Sequence, residues 1–260
     1  PWMEVETERI PNLDTFIDSL KAAADEWPFT MGWVDCLSRG KSMGRGILYR
    51  GRWAKPGQAP DKPVKPKRRL KVPIEPPSFL LNKLTMSLFN EALYRTHIPR
   101  VKKAIQHPEV FFYPLDTFLE WNKLYGPKGF TQYQCVIPEE AGRPAVRRFV
   151  EKMTALGGSS FLCVIKDCGP EGQGMLSFPR AGTSIALDIP VRKNTQELVN
   201  ALNAATIAEG GRMYLAKDNF TTAADFVQME GERFERFTAV RDKWDPQRRL
   251  RSRQSERLMG

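Results

Sequence analysis

Gln132-Tyr-Gln-Cys-Val-Ile137 decides the fold. Its amides alternate with aromatic and apolar residues, so in a strand Gln132 and Gln134 share one face while Tyr133 and Cys135 point to the other. The period then changes. Pro144 opens a helix in which Val146, Phe149, Val150, Met153 and Leu156 form one stripe, and Gly157-Gly158 stops it. A strand over 161–166 follows, then a Gly/Pro loop and a strand over 183–189. Asn194 and Glu197 predict a capping box for a helix carrying Leu198, Ala201, Leu202 and Ala205, and 212–216 reads as a last strand.

From 131 to 216 the order is therefore strand, helix, strand, strand, helix, strand. It predicts an α+β fold, a ferredoxin-like antiparallel sheet with helices on one face, followed by a C-terminal helical segment. The other sheet face is left over, and Gln132, Gln134 and Lys166 make it a natural floor for a polar ligand. A sheet face packed on another domain fits the same pattern. Upstream, Asn12 is placed to cap a helix with Leu13, Phe16, Ile17, Leu20 and Ala24 on one face, and a strand over 29–37 comes next.

Composition is consistent with this reading. The 260 residues, 41% hydrophobic and 10% aromatic, suffice for one large domain or one and a half. No apolar stretch is long enough for a bilayer and no charged-then-apolar leader precedes a cleavage site, so the expectation is a cytoplasmic protein, soluble or peripheral to a membrane. Cys36, Cys135, Cys163 and Cys168 mostly sit in apolar runs, which suits reduced, buried thiols. Cys163 and Cys168 have no second ligand pair for zinc, and His97 and His107 are too isolated to build a triad. No metal is expected.

The net charge of +10 is uneven. Residues 55–77 carry Lys55, Lys62, Lys65, Lys67, Arg68, Arg69 and Lys71 against Asp61 and Glu75, and the last twenty residues carry seven basic against three acidic side chains. Seven prolines in 55–77 exclude helix and central strand, which predicts an extended mobile loop. It reads either as a solvated insertion or as a basic flap for anionic lipid headgroups or a substrate phosphate, where each cation contributes about 1 kcal/mol.

Five ordered segments carry a family resemblance. They are Phe112-Tyr-Pro-Leu-Asp-Thr-Phe-Leu-Glu-Trp-Asn-Lys-Leu-Tyr-Gly-Pro-Lys-Gly-Phe-Thr-Gln-Tyr-Gln134, Ser160-Phe-Leu-Cys-Val-Ile-Lys166, Leu176-Ser-Phe-Pro179, Gly210-Gly-Arg-Met-Tyr-Leu-Ala-Lys-Asp218 and Asp245-Pro246. Together the chain resembles the FAD-linked oxidases of the vanillyl-alcohol oxidase type, most closely the decaprenylphosphoryl-ribose oxidase branch. The resemblance implies oxidation of a secondary alcohol on a sugar, free or linked to a polyprenyl phosphate, by hydride transfer to FAD. It also implies an organisation. Such enzymes join an N-terminal FAD-binding domain, a substrate or cap domain and a returning C-terminal segment, and this chain looks like the cap (1–210) and the return (211–260) without the FAD-binding domain. That domain is then the implied partner, and the chain by itself is expected to be inactive.

Roles follow from the resemblance residue by residue. Lys217 and Lys166 match catalytic or substrate-contacting lysines; Gln132, Gln134, Asn122, Lys123, Phe112, Trp33 and Ser184 match substrate-pocket positions; Tyr214, Ala216 and Lys217 match the flavin edge. From the residues alone, Lys166 alternates with Val164 and Leu162 and needs either a polar partner or a route to water. Trp33 alone reads as core. Several positions depart from the branch: Phe112 and Tyr113 replace a tyrosine and a histidine, Ser184 an asparagine, Ala186 a cysteine, Cys168 an aromatic residue and Met31 a serine. The reaction type therefore carries over better than the substrate.

A rival class is a basic ferredoxin-like nucleic-acid-binding module with phosphate contacts from the two basic arms. Against it, the central strand offers Phe161-Leu-Cys-Val-Ile165 rather than a base-stacking aromatic series, so nucleic acid is not the expected partner.

Overall fold

The structure is a computed structural model, and it describes residues 2–61, 69–72, 75, 82–157 and 162–260. In chain order the elements are β1 (Met3–Ile10), α1 (Leu13–Ala23), β2 (Phe29–Val34), β3 (Gly46–Trp53), β4 (Leu70–Lys71), α2 (Lys83–Arg95), β5 (Val101–Gln106), α3 (Pro108–Phe112), β6 (Phe118–Leu119), β7 (Phe130–Pro138), α4 (Gly142–Leu156), β8 (Cys163–Cys168), β9 (Gly182–Pro190), α5 (Thr195–Ala208), β10 (Arg212–Met213), α6 (Ala223–Glu230), α7 (Glu232–Trp244) and α8 (Arg253–Met259). The fold is α+β with a C-terminal helical segment, as the sequence pattern predicts. Two compact units divide the chain, the described parts of 1–130 with 159–166 and of 131–158 with 167–260.

In the first unit the strand order is β8-β2-β3-β1-β5. β1 runs antiparallel to β3, from Met3 opposite Trp53 to Ile10 opposite Gly46, and β2 runs antiparallel to both β3 and β8. α1 forms where expected because Asn12 accepts the Thr15 N–H at 2.9 Å, and its buried stripe is Leu13, Phe16, Ile17, Leu20 and Ala23. The Phe16 ring covers Gly32, where an added Cβ would lie 2.3 Å from it. Apart from β4, which pairs in a separate two-stranded sheet, the succession from β1 to β5 is strand, helix, strand, strand, helix, strand with spatial order β2-β3-β1-β5, the split βαβ plan anticipated only for 131–216.

The expected strand over 29–37 is shorter. β2 stops at Val34 because Asp35 bends the chain, its Oδ1 accepting from Leu37 N at 3.1 Å. Its carboxylate, 2% exposed, also accepts from Arg45 Nε and NH2 at 3.0 and 2.8 Å and from Asn90 Nδ2 at 2.8 Å, which fastens α2 to the β2–β3 turn. Much of the basic segment 55–77, including Lys62, Lys65, Lys67 and Arg68, lies outside the described residues. Within it, β4 pairs in parallel with β6, Leu70 opposite Phe118.

In the second unit β7 lies between β10 and β9. Tyr133 and Cys135 turn to the helices, and the Tyr133 hydroxyl is 2.8 Å from Thr206 Oγ1 on α5. α4 ends at Gly157, which takes the left-handed conformation at φ 74° as the Gly-Gly stop requires. The capping box expected at Asn194 does not form. Asn194 makes no side-chain cap, and Thr195 Oγ1 instead accepts the Arg192 N–H at 2.7 Å, tying down the turn before α5. The last strand is shorter than 212–216, since Leu215–Lys217 folds into a 3-10 turn with Lys217 N donating to Tyr214 O at 3.0 Å. Met213, Phe226 and Leu258 form the core that joins β10 to α6 and α8. No helix among the described residues is long and apolar enough to cross a membrane.

Candidate active site

Within the second unit, β7 and β9 place the predicted amides side by side on the face away from Tyr133. Gln132 Nε2 donates to Asp188 Oδ1 at 2.7 Å, and Gln134 Nε2 donates to Ser184 Oγ at 3.1 Å. Ser184 and Asp188 are four residues apart on β9 and so share its face; both are buried. Neither glutamine carbonyl oxygen has another hydrogen bond among the described residues. Each oxygen therefore leaves an acceptor position open among those residues.

The strand then hands over to the tail. Tyr214 N donates to Gln134 O at 2.7 Å, and the Tyr214 ring stacks on Phe178 with centroids 4.5 Å apart and planes at 29°. The turn that follows exposes Ala216 and holds Lys217 half-buried. Asp218, the adjacent acid, does not pair with Lys217: it accepts from Phe220 N at 3.1 Å, Thr221 N at 2.8 Å and Arg257 NH2 at 2.6 Å. No hydrogen bond or ion pair holds the Lys217 amine among the described residues.

Gln132, Gln134 and Ser184 are thus brought together, with Tyr214, Ala216 and Lys217 following in one register. Lys166, Trp33, Phe112, Asn122 and Lys123 belong to the first unit. There Trp33 is buried, opposite Ile47 and Val164. Lys166 is exposed at the end of the unit, between half-buried Asp167 and buried Ile165. Phe112 packs edge-on against Phe29 with centroids 5.1 Å apart and is 40% exposed. Asn122 is exposed on the 3-10 turn Trp121–Tyr125, and Lys123 pairs with Glu120 at 2.5 Å. Lys123 and Lys71 hold the Glu120 carboxyl below its ordinary range.

Asp188 escaped the sequence reading. Its signal was there: an acid in the apolar run Thr183-Ser-Ile-Ala-Leu-Asp-Ile189, in period-two register with Ser184. The tail arginines expected to reach phosphates are in part committed inside the chain. Arg257 pairs with Asp218, Arg248 with Asp242, and Arg241 donates to the carbonyls of Met259 and Gly260.

No family model matches the chain. It is similar to the decaprenylphosphoryl-beta-D-ribose oxidase of Mycolicibacterium smegmatis, 34% identical over 238 residues, which cover 89% of this chain and 51% of that protein. It is also similar to an uncharacterized protein in the mprA 5′ region of Streptomyces coelicolor, 26% identical over 222 residues, covering 81% and 60%. A solved structure of an unknown protein from Galdieria sulphuraria covers 82% of this chain at 12% identity and TM-score 0.22, a likeness too low to carry any argument. The first relative supports an oxidase relationship. This chain spans about half the length of that relative and 60% of the second.

Proposed function

We propose that the chain is the substrate domain and returning tail of a FAD-dependent oxidase that acts on a secondary alcohol of a sugar or sugar-like substrate. The observation that carries this reading is the β7 edge, where paired Gln132 and Gln134 are joined through Tyr214 to a turn bearing an uncommitted lysine. The relative's name adds a polyprenyl-linked sugar as the substrate class, and the basic segment 55–77 suits the phosphate or an anionic membrane surface beside it. A FAD-binding domain is the proposed partner. It supplies the phosphate contacts, for which these 260 residues offer no Gly-x-Gly-x-x-Gly loop.

The residues present fit one edge of a flavin ring. Ala216 is small and exposed, Tyr214 is a stacked aromatic platform, and the Lys217 amine is a donor that no acid among the described residues pairs with. When bound, the flavin supplies a two-electron acceptor for the hydride of the carbinol carbon. Gln132 accepts from a substrate hydroxyl through its carbonyl oxygen, Gln134 engages a second oxygen with either end of its amide, and together they orient that carbon. With a flavin bound, Lys217 would either stabilise the charge it develops, worth roughly 1.5 to 3 kcal/mol for a charge-assisted bond, or receive the hydroxyl proton, worth about 10² to 10⁴ in rate.

The experiment is anaerobic mixing of the flavin-loaded full-length gene product with a polyprenylphosphoryl ribose. Bleaching of the flavin is expected. A protein that binds flavin yet stays oxidised with every sugar alcohol offered would refute the reading.

A further inference from the structure

We propose that Asp188 is a positioning residue that fixes the polarity of the Gln132 amide, so that the place Gln132 reads must hold a hydroxyl and not a carbonyl. The inference rests on the reading of this β7 face as the substrate floor. An amide can present its carbonyl or its NH2 by rotating end for end, and the two ends read opposite ligand groups. Which end faces the ligand is decided by what holds the other.

Behind Gln132 stands Asp188, 1% exposed, with Oδ1 2.7 Å from Nε2. In its ionised form the Asp188 carboxylate accepts from every partner and donates to none, so reversing the amide would set two oxygens against each other in a buried place. Nε2 is held inward. Oε1 is left to accept.

Gln134 is held differently. Its partner, Ser184 Oγ at 3.1 Å, is a hydroxyl that accepts or donates by turning its own hydrogen. The Gln134 amide can therefore present either end at little cost. Two amides two residues apart read different groups, one donors only, the other donors or acceptors.

Alcohol oxidation turns this asymmetry into a site assignment. The reacting carbinol would lose the hydride of its C–H bond to the flavin and the proton of its O–H bond to a base, leaving a carbonyl, which accepts but no longer donates. Opposite Gln132 that carbonyl would meet Oε1 with no hydrogen between them. Opposite Gln134 it would meet a turned NH2. The oxidised carbon therefore lies toward Gln134, the residue tied to the Tyr214–Lys217 turn, and the hydroxyl on Gln132 is one that survives the reaction. The ligand class is a polyol or sugar with at least two hydroxyls, one of them an obligatory donor.

The first arm of the test needs no turnover. In the full chain labelled with ¹⁵N, one Nε2 proton of Gln132 should appear downfield and exchange slowly with water, and Asp188→Asn should abolish that signature, while the Gln134 amide resembles a free one. Both Gln132 protons at free-amide positions in the unmutated protein would overturn the inference, whether or not Asp188→Asn folds. The second arm uses the flavin-loaded protein with D-ribose and its monofluorinated analogues, since fluorine does not donate. The unmutated protein should reject one analogue by about tenfold or more in kcat/KM, and Asp188→Asn should bring that rejection to within about twofold. Equal rejection by both proteins would overturn it. A held amide in a protein that turns over no sugar would instead refute the substrate reading, and with it the selection, while leaving the clamp in place.

Discussion

The main-chain carbonyl of Gln134 accepts the N–H of Tyr214 at 2.7 Å, one residue beyond the end of β10. That single bond places the amide-bearing strand and the lysine-bearing turn in one register. Rotation or slippage of the tail would move Lys217 relative to the Gln132 and Gln134 side chains. The relationship gives the proposed site a fixed geometry.

Lys217→Met in the flavin-loaded protein should slow flavin reduction by about 10²-fold or more while the urea midpoint stays put. The half-buried amine has no hydrogen-bond or ion-pair partner to lose among the described residues. Stopped-flow reduction and an unfolding curve on the same preparation check both halves, and an unchanged reduction rate would remove Lys217 from the chemistry.

Asp35→Ala should cost about 3 kcal/mol or more of stability. The substitution strips hydrogen-bond partners from Arg45 and from Asn90, which is itself fully buried. Asn90 Oδ1 already lacks a partner among the described residues, so that site has no slack. Urea denaturation followed by circular dichroism measures the loss; a change under about 0.5 kcal/mol, the range of an ordinary surface substitution, would contradict the clamp.

Burial pushes the Cys135 thiol up to about 12, so almost no thiolate exists there near neutral pH. Cys168 is half-buried, and Cys36 and Cys163 are buried. A thiol reagent should modify Cys168 first in the native protein and reach Cys135 only after unfolding. Mass spectrometry of peptides from a timed labelling reads the order.

Acid should destabilise the fold in a defined window. Arg52 holds Glu4, Arg95 with Arg45 holds Glu91, Arg212 holds Glu171 and Arg148 holds Glu209 below the ordinary 4.5. A lowered folded-state value contributes stability above 4.5 that disappears as pH falls through the folded value. Glu230, pushed up by burial, works in the opposite sense. Urea midpoints should therefore hold near neutrality and drop below about pH 4.5, modestly, because most of these groups are solvent-screened. A midpoint that rises on acidification would show Glu230 outweighing the rest.

What was legible in the sequence follows the physics of each segment. Where apolar residues carried the period, as in Leu13, Phe16, Ile17 and Leu20 or Val146, Phe149, Val150 and Met153, the elements stand where the pattern puts them. β3 was hidden because its outward residues are charged: Arg50 pairs with Glu6 and Glu8, and Arg52 with Glu4, so the ladder is built from ion pairs across strands rather than from an apolar stripe. α2 was hidden by the prolines before it, although Asn82 and Thr85 form a full capping box. At the candidate site the glutamines were legible from their spacing. Asp188 showed as an acid in an apolar strand, but its pairing with Gln132 did not, because the two lie fifty-six residues apart across a sheet whose register no local pattern specifies.

In the proposed site the Gln132–Gln134 face and Lys217 together cradle a sugar alcohol against a flavin. A crystal structure of the flavin-loaded protein with a sugar bound tests it most directly. Sugar hydroxyls within hydrogen-bond reach of both glutamine side chains, with Lys217 Nζ at the N1/C2 edge of the ring, are the predicted result. A sugar seated elsewhere, or a flavin whose ring lies away from the Tyr214–Lys217 turn, would contradict it.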